Sequence, residues 1–407
     1  MINSKKNILL IMPYGSVGGM ERLALTFYDY YKEKGHQIKV LKLIQLQNDI
    51  INFGEDELYL STVDFSEMKA SKRLLFYAKS PIHIRKIIKK YNITHSIAFG
   101  DMANLFSSLT QTKEFKIGSI HALKSVELIT NTFFNKLTRF GYKHLYGKLN
   151  KLVCISKAIK EDLIANCAYK FSNLEVIYNP HNTSEIVKRS QETIKDPLEK
   201  ELFLKKTILF LGRLSVQKSP WHLLNAFAEV ISTDKKINLI LVGDGDYAVQ
   251  QIVYSRIKDL NLSNNVHLLG RKSNPYKYIH ASNVLVLSSL YEGTPNVIVE
   301  SIAVGTPVVS SFCTKGIIEL MSTKDYNETD SNIEVEAGIV TPNFFNGEIG
   351  IPKSFSLIYE EKLLAKALLK VINNSEEYKE KLHLNKQELL KKFNLEYVAK
   401  QYLKPVN

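Results

Sequence analysis

The sequence lacks several features that would assign a protein class at once. Its 407 residues include three Cys and one Trp, and no stretch reaches the roughly 20 apolar residues of a membrane-spanning helix. The cysteines, Cys154, Cys167 and Cys313, are odd in number and scattered, which argues against a disulfide framework and favours a reducing compartment. The apolar run after Lys6 is shorter than the core of a signal peptide, so we interpret it as a β-strand. Together these absences predict a cytoplasmic protein.

Positive charge is concentrated in the first part of the chain. The net charge is +13, and residues 1–180 contain 26 Lys and Arg against 15 Asp and Glu, whereas the remaining residues contain 28 against 26. This asymmetry favours an anionic partner for the N-terminal part, either nucleic acid or an anionic membrane surface. The alternative is a set of Lys-rich, solvated helix faces that bind no partner.

Two segments account for the membrane hypothesis. Residues 69–90 contain eight basic residues and no acidic one. Residues 131–151 combine Lys and Arg with five aromatic residues: Phe133, Phe134, Phe140, Tyr142 and Tyr146. Basic groups beside aromatic rings suit an anionic lipid interface, so we predict peripheral association with the inner face of the cell membrane. Nucleic acid is not expected, because the chain has no recognition motif for it.

Apolar runs alternate with amphipathic stretches along the whole chain, a pattern that predicts an α/β fold. We predict two tandem Rossmann-like domains, each a doubly wound parallel sheet, at residues 1–182 and 207–392. The polar, charged residues 183–206 are predicted to be a linker, and residues 321–336 an exposed loop. Because such sheets bind ligands at the carboxyl ends of their strands, the expected site is a cleft across which the domains face each other.

The stretch EGTPNVIVE, residues 292–300, follows a predicted inner strand and begins a predicted helix. Thr294 suits the N-cap and Pro295 the first helical position. Val297 cannot complete a capping box, so the N–H groups of Asn296 and Val297 are predicted to face an anion such as phosphate. Glu300 lies roughly 7–8 Å further along the helix, a distance that suits the hydroxyls of a ribose. The alternative is an ordinary capped helix with two solvated glutamates.

Two cations follow another predicted strand. In FLGRLSVQKS, Arg213 comes directly after a strand and a glycine, and Lys218 is five residues further on. A guanidinium and an ammonium at the carboxyl end of a strand suit a diphosphate, although two unrelated surface cations would show the same spacing.

Three further motifs lie at the ends of predicted strands. In SVGGMER, Gly18 and Gly19 allow close approach to the backbone, but the motif lacks the GxGxxG spacing, and Ile44 and Gln45 stand where a dinucleotide-binding fold has an acid. NAD is therefore not expected. In VGDGD, which contains Gly243, we predict a turn rather than a metal site. His121 ends a strand and is predicted to face the cleft.

Taken together, the motifs SVGGMER, FLGRLSVQKS, LVGDGD, HLLGR and SSLYEGTPNVIVES resemble those of family-4 glycosyltransferases, in order and spacing, over nearly the whole chain. The resemblance implies a two-Rossmann-domain (GT-B) enzyme. It would transfer a sugar with retention from a nucleotide-diphosphate donor, without a metal or other cofactor. It also implies that the final helix, at about residues 393–407, returns to the first domain.

The resemblance also implies roles for individual residues. Glu300 would bind the ribose, Glu292 and His121 would lie beside the donor sugar, and Arg213 and Lys218 would neutralise the leaving diphosphate. The other expected donor-site residues are Gly18, Gly19, Gly243, Gly270, Arg271, Gly293, Thr294, Asn296 and Val297. The chain departs from the family pattern at Ser219-Pro220, where Gly often follows the lysine, and after His121, where an acid often follows.

The leading hypothesis is a glycosyltransferase that uses a UDP-sugar and a lipid-linked or membrane-presented glycan acceptor in capsule, O-antigen or related polysaccharide synthesis. A nucleotide-sugar epimerase on the same architecture is an alternative, but it needs two acid/base carboxylates flanking the sugar, and only Glu292 is so placed. A non-catalytic subunit that binds sugar nucleotides is a further alternative. It predicts loss of Arg213, Lys218 or Glu300, and all three are present.

Overall fold

A computed structural model describes residues 5–15, 19–46, 49–65, 67–128, 132–345, 347–352 and 354–405. The chain divides into two compact units. Unit 1 comprises Met1–Pro180 with Leu395–Asn407, and unit 2 comprises His181–Asn394.

Unit 1 is built on a parallel sheet with the strand order β3-β2-β1-β4-β5-β6-β7. Its strands are β1 Asn7–Met12, β2 Gln37–Ile44, β3 Glu57–Ser61, β4 His95–Phe99, β5 Phe115–Ile120, β6 Lys151–Cys154 and β7 Leu174–Val176. The first segment of unit 1, Met1–Pro180, contains the helices α1 Gly19–Glu33, α2 Ala70–Lys90, α3 Asp101–Ser108, α4 Lys124–Glu127, α5 Phe133–Phe140 and α6 Lys157–Asn166. Central strand β1 is a continuous apolar run because helices cover both faces of a parallel sheet.

Unit 2 repeats this plan with the order β10-β9-β8-β11-β12-β14-β13, in which only the pairing of β13 with β14 is antiparallel among the described strands. Its strands are β8 Thr207–Leu211, β9 Asn238–Val242, β10 Val266–Gly270, β11 Val284–Leu287, β12 Val308–Ser311, β13 Ile333–Val335 and β14 Gly338–Thr341. Its helices are α7 Thr183–Ser190, α8 Pro197–Leu202, α9 Pro220–Thr233, α10 Tyr247–Asp259, α11 Tyr276–Ala281, α12 Asn296–Val304, α13 Lys315–Met321, α14 Tyr359–Asn373 and α15 Ser375–Lys391. The predicted fold class, two tandem Rossmann-like α/β domains, is confirmed.

The last helix, α16 Leu395–Tyr402, belongs to unit 1 although it follows unit 2 in sequence. The Tyr31 hydroxyl on α1 donates to the Ala399 carbonyl at 2.8 Å. The ring of Tyr402 packs edge-on against Phe27 with 4.8 Å between centroids. Unit 1 therefore includes the final helix in its core, the placement that the family resemblance implies.

The structure differs from the sequence interpretation in two segments. Residues 183–206, predicted to be a linker, form α7 and α8 within unit 2, where Glu199 accepts hydrogen bonds from Lys272 at 2.5 Å and from the Tyr278 hydroxyl at 2.6 Å. Their polar composition reflects short surface helices that bury few residues, such as Ile186. In 321–336, predicted to be a loop, α13 ends at Met321 and β13 forms the edge of the sheet.

Candidate functional site

The loops that follow β8, β9 and β10 are joined at the carboxyl edge of the unit 2 sheet. Gly212 donates its N–H to the Val242 carbonyl at 3.0 Å, and Gly243 donates to the Gly270 carbonyl at 2.9 Å. Gly243 has φ 143°, and a Cβ at this position would lie 1.9 Å from the Gly212 oxygen. Only glycine fits there, so the predicted turn at VGDGD brings two loop backbones into direct contact.

A cavity of about 590 Å³ opens at this junction. Arg213 and Arg271 line it, each beside an acidic partner: Arg213 Nη2 lies 2.6 Å from Asp246 Oδ1, and Arg271 Nε lies 3.6 Å from Asp244 Oδ2. The side chains of Arg213 and Arg271 are 69% and 82% exposed, so both cations are accessible to a ligand. The structure thus brings together three predicted residues, Arg213, Gly243 and Arg271. Gly270, also predicted, precedes Arg271 and accepts the hydrogen bond from Gly243.

A second cluster is formed by Lys218 and Glu292, from the loops after β8 and β11. Lys218 Nζ lies 2.5 Å from Glu292 Oε1. The same oxygen accepts a hydrogen bond from the Ser289 hydroxyl at 2.9 Å, and Oε2 accepts one from the Gln217 amide at 3.3 Å. Glu292 is only 8% exposed, and these three donors compensate for the lost hydration of its charge.

Cys313 lies close to this cluster. Burial is the main cause that raises the pKa of the Cys313 thiol, and the nearby carboxylate of Glu292 is the second. The thiol is therefore protonated at neutral pH and is a poor nucleophile.

Helix α12 begins one residue later than predicted. Its N-cap is Pro295, not Thr294, and Asn296 is its first residue. A proline side chain has no hydrogen-bonding group, so this cap supplies no side-chain partner to the N–H groups of the first turn. Gly293 and Thr294 lie in the loop before the helix, and Glu300 is one turn inside it, roughly 6 Å along the axis from Asn296.

The remaining predicted site residues belong to unit 1. Gly19 is the exposed first residue of α1, where an added Cβ would meet no described atom within 4 Å, and Gly18 lies outside the described residues. His121 follows β5, and its Nε2 lies 2.8 Å from the Ser119 hydroxyl oxygen. Burial, and to a smaller extent the Lys124 ammonium, lowers the pKa of His121 to about 3, so the imidazole is neutral at physiological pH.

Sequence reasoning missed the residues that organise these cations and carboxylates. Gln217 and Ser289 bind Glu292, and Asp246 pairs with Arg213. The only available signal was position, because all three residues follow the carboxyl ends of strands.

Comparison with known proteins places this architecture in a family. The family model described as "Glycosyltransferase Family 4" matches residues 17–185, and the one described as "Glycosyl transferases group 1" matches residues 205–340. The chain belongs to glycosyltransferase family 4.

The similarity to relatives and to a solved structure covers most of this glycosyltransferase. An uncharacterized glycosyltransferase of Methanocaldococcus jannaschii is 28% identical over 339 residues, which are 80% of this chain and 82% of its own. The N-acetylgalactosamine-N,N'-diacetylbacillosaminyl-diphospho-undecaprenol 4-alpha-N-acetylgalactosaminyltransferase of Campylobacter jejuni is 27% identical over 342 residues, 82% of this chain and 88% of its own. The crystal structure of Anabaena HepE in complex with UDP, 18% identical, covers 97% of this chain and 98% of its own with a TM-score of 0.70, which shows the shared GT-B fold.

Two features are absent from the described part of this glycosyltransferase. In that part, none of the helices combines the length and apolar character needed to cross a membrane. Within the same residues, no group of three or more His, Cys, Asp and Glu side chains is arranged to bind a metal ion.

Proposed function

We propose that this glycosyltransferase moves a sugar from a UDP-sugar, with retention of configuration, to a lipid-linked or membrane-presented glycan in surface polysaccharide synthesis. The observation that supports this most directly is the shared sheet edge of unit 2. There Arg213 and Lys218 lie in the loop after β8, and Glu292, which pairs with Lys218, lies in the loop between β11 and α12. The Campylobacter relative, named for a diphospho-undecaprenol acceptor, and HepE, crystallised with UDP, support the acceptor and the nucleotide.

The proposed chemistry depends on the charge of the leaving group. As the bond from the sugar to the diphosphate breaks, negative charge grows on the departing oxygen. Lys218 and Arg213 would stabilise that charge, and cations aimed at it lower the barrier more than they strengthen ground-state binding. Because two cations and a helix N-terminus supply the stabilisation, the proposed reaction needs neither a metal nor another cofactor.

The two glutamates have different proposed tasks. Glu300, one turn inside α12, would accept hydrogen bonds from the ribose hydroxyls. Glu292, in the loop before the helix, would fix Lys218 and lie beside the donor sugar, with the backbone of residues 293–297 near the sugar and diphosphate. Following the family resemblance, neutral His121 would hydrogen-bond the donor sugar, and Gly19 would leave space for the phosphates or the acceptor.

The membrane part of the proposal is supported by the surface of unit 1. Helix α2 contains basic residues and no acidic ones, and its apolar Leu74 and Ile82 are 61% and 54% exposed. An apolar groove of about 440 Å³ runs beside it, lined by Leu60, Val63, Met68, Leu75 and Phe76 with Lys69, Lys72, Lys79, His83 and Glu67 around them. Exposed apolar side chains beside lysines suit the inner leaflet.

The aromatic residues of 131–151 contribute less to this surface than the sequence predicts. Phe133 and Phe140 on α5 are exposed, but Tyr142 and Tyr146 are fully buried, and the Tyr142 hydroxyl donates to Asp101 at 2.6 Å. Among the described residues of this segment, Phe133 and Phe140 are exposed and Phe134 is partly exposed, whereas Tyr142 and Tyr146 cannot contact lipid without unfolding.

The nucleotide is tested by thermal shift with UDP, ADP and GDP and with a panel of UDP-sugars. A ligand that binds only the folded protein raises the melting temperature by mass action, so UDP and one UDP-sugar should give the largest shifts. Anomeric analysis of the product by NMR, with EDTA present, then tests retention and independence from metal. Stabilisation by ADP or GDP but not UDP, or an inverted product, would contradict the proposal.

Membrane association is tested by flotation with vesicles of anionic or neutral lipid at low and high salt. Binding should require anionic lipid and weaken with salt, because screening reduces the attraction. A variant with Lys69, Lys72 and Lys79 changed to Gln should float less well, whereas Lys235→Gln/Lys236→Gln, a change of exposed lysines in unit 2, should float like the parent. Equal binding of the parent to neutral and anionic vesicles would contradict this part of the proposal.

A further inference from the structure

Ser219 adopts a backbone conformation that L-residues other than Asn and Asp seldom occupy. Its φ is 37° and its ψ is 60°, in the left-handed region, at the N-cap of α9. Glycine adopts this conformation without steric cost, whereas a serine there is strained unless its surroundings compensate. Ser219 directly follows Lys218 and is fully buried, so the strain is located beside a residue of the proposed site.

The compensating contact is with Ser288, the residue directly after β11. The Ser219 hydroxyl donates to the Ser288 carbonyl oxygen, and the Ser288 hydroxyl donates in return to the Lys218 carbonyl oxygen at 2.9 Å. Both serines are completely buried. The Leu290 N–H donates to the Gln217 carbonyl at 2.8 Å beside them, so the two loops are joined by backbone and hydroxyl groups together.

Lys218 is therefore fixed at both ends. The two serines fix its backbone, and Glu292 binds its ammonium. A lysine side chain has four rotatable methylenes, so a fixed backbone alone does not place the charge, and neither does a carboxylate alone. Both constraints together limit the ammonium to a small volume before a ligand arrives, and such preorganisation is what electrostatic catalysis requires.

We propose that Ser219 and Ser288 are positioning residues that aim the Lys218 ammonium at the donor diphosphate. The proposal rests on the proposed function of Lys218. It adds two hydroxyls that act on the reaction only through that lysine.

A double-mutant cycle tests the proposal. Ser219→Ala and Ser288→Ala should each lower kcat about 10-fold in the parent, the equivalent of one buried hydrogen bond, with a smaller change in KM. In a Lys218→Ala background the same substitutions should have no further effect on kcat. The matched control is Ser282→Ala in unit 2. The buried Ser282 hydroxyl also donates to a carbonyl oxygen, that of Tyr278, so its removal is a comparable change, and this variant should keep the parental kcat.

Ser219→Gly separates positioning from stability. Glycine removes the hydroxyl and the strain together, so this variant should melt at a higher temperature than Ser219→Ala and yet show the same loss of kcat. Equal kcat losses for the serine variants in the parent and Lys218→Ala backgrounds would overturn the proposal, as would a parental kcat for both serine variants. If Lys218→Ala itself retains parental kcat, the proposed function of Lys218 fails, an outcome distinct from additive serine effects.

Discussion

The Lys218 ammonium and the Glu292 carboxylate lie 2.5 Å apart, in loops that follow two adjacent strands of unit 2, and neither side chain is more than 16% exposed. Removal of one partner leaves the other charge largely buried without its counter-ion, which typically costs about 3–5 kcal/mol. Replacement of both residues by apolar ones leaves no buried charge without a counter-ion, so this cost does not arise.

The first prediction follows from this pair. Lys218→Met and Glu292→Leu should each lower the free energy of unfolding by more than the double variant Lys218→Met/Glu292→Leu, measured by urea denaturation. The matched control is the exposed pair Lys379 and Glu376, 3.1 Å apart on α15, where the same cycle should show a coupling below about 1 kcal/mol. Simple additivity of the Lys218 and Glu292 effects would contradict the prediction.

The two glutamates of EGTPNVIVE should differ in their effects on binding and turnover. Glu300→Ala should weaken UDP binding by roughly 10- to 150-fold, the value of a lost charged hydrogen bond, because the ribose contact is present throughout the reaction. Glu292→Ala should lower the single-turnover rate more than it weakens UDP binding. Calorimetric titration of UDP, paired with single-turnover kinetics, measures both. Parental UDP affinity in Glu300→Ala together with lost affinity in Glu292→Ala would reverse the assignment.

From the sequence, the strand ends that precede Lys218 and Glu292 could be predicted, but the contacts of these two residues could not. Lys218 and Glu292 each follow an apolar run, and the carboxyl ends of parallel strands share one edge, so their proximity follows from the fold class. Their partners depend on loop conformation. Gln217 reaches Glu292 across two loops, and Ser219 has a left-handed backbone where sequence rules would expect glycine. Such contacts are set by tertiary packing, for which local patterns carry no signal.

Helix starts and domain boundaries show the same limit. Thr294 and Pro295 both favour a helix start, and the pattern located it to within one residue but could not decide which of them is the cap. Residues 183–206 have a composition typical of a linker, yet α7 and α8 need only a few apolar residues, such as Ile186, to pack on unit 2. Composition reports how much surface is exposed, and a short surface helix exposes nearly as much as a linker.

Asp246 should compete with the donor for Arg213. The guanidinium and the carboxylate are both well exposed, so their 2.6 Å contact contributes little to stability, about 1 kcal/mol at most. Asp246→Asn should therefore leave the melting temperature nearly unchanged and strengthen UDP binding, because the guanidinium loses an alternative anion. Arg213→Ala should weaken UDP binding and lower kcat. Calorimetry at two salt concentrations is the measurement, and weaker binding by Asp246→Asn would show that Asp246 positions Arg213 instead.

His121 should make the protein sensitive to acid. The pKa of His121 is about 3 in the folded chain, mainly because burial opposes the charged form and secondly because the Lys124 ammonium repels it. On unfolding, the pKa returns to its ordinary value of about 6.5. Between these values the unfolded chain binds the extra proton, so this contribution to stability is intact above about pH 6.5 and is lost progressively as the pH falls towards 3. His121→Asn should therefore show a shallower fall in melting temperature from pH 7 to pH 5 than the parent. The control is His83→Asn on α2, an exposed side chain that loses little hydration on folding. An imidazole NMR signal of His121 that titrates near pH 6.5 in the folded protein would refute the prediction directly, whatever the melting temperatures show.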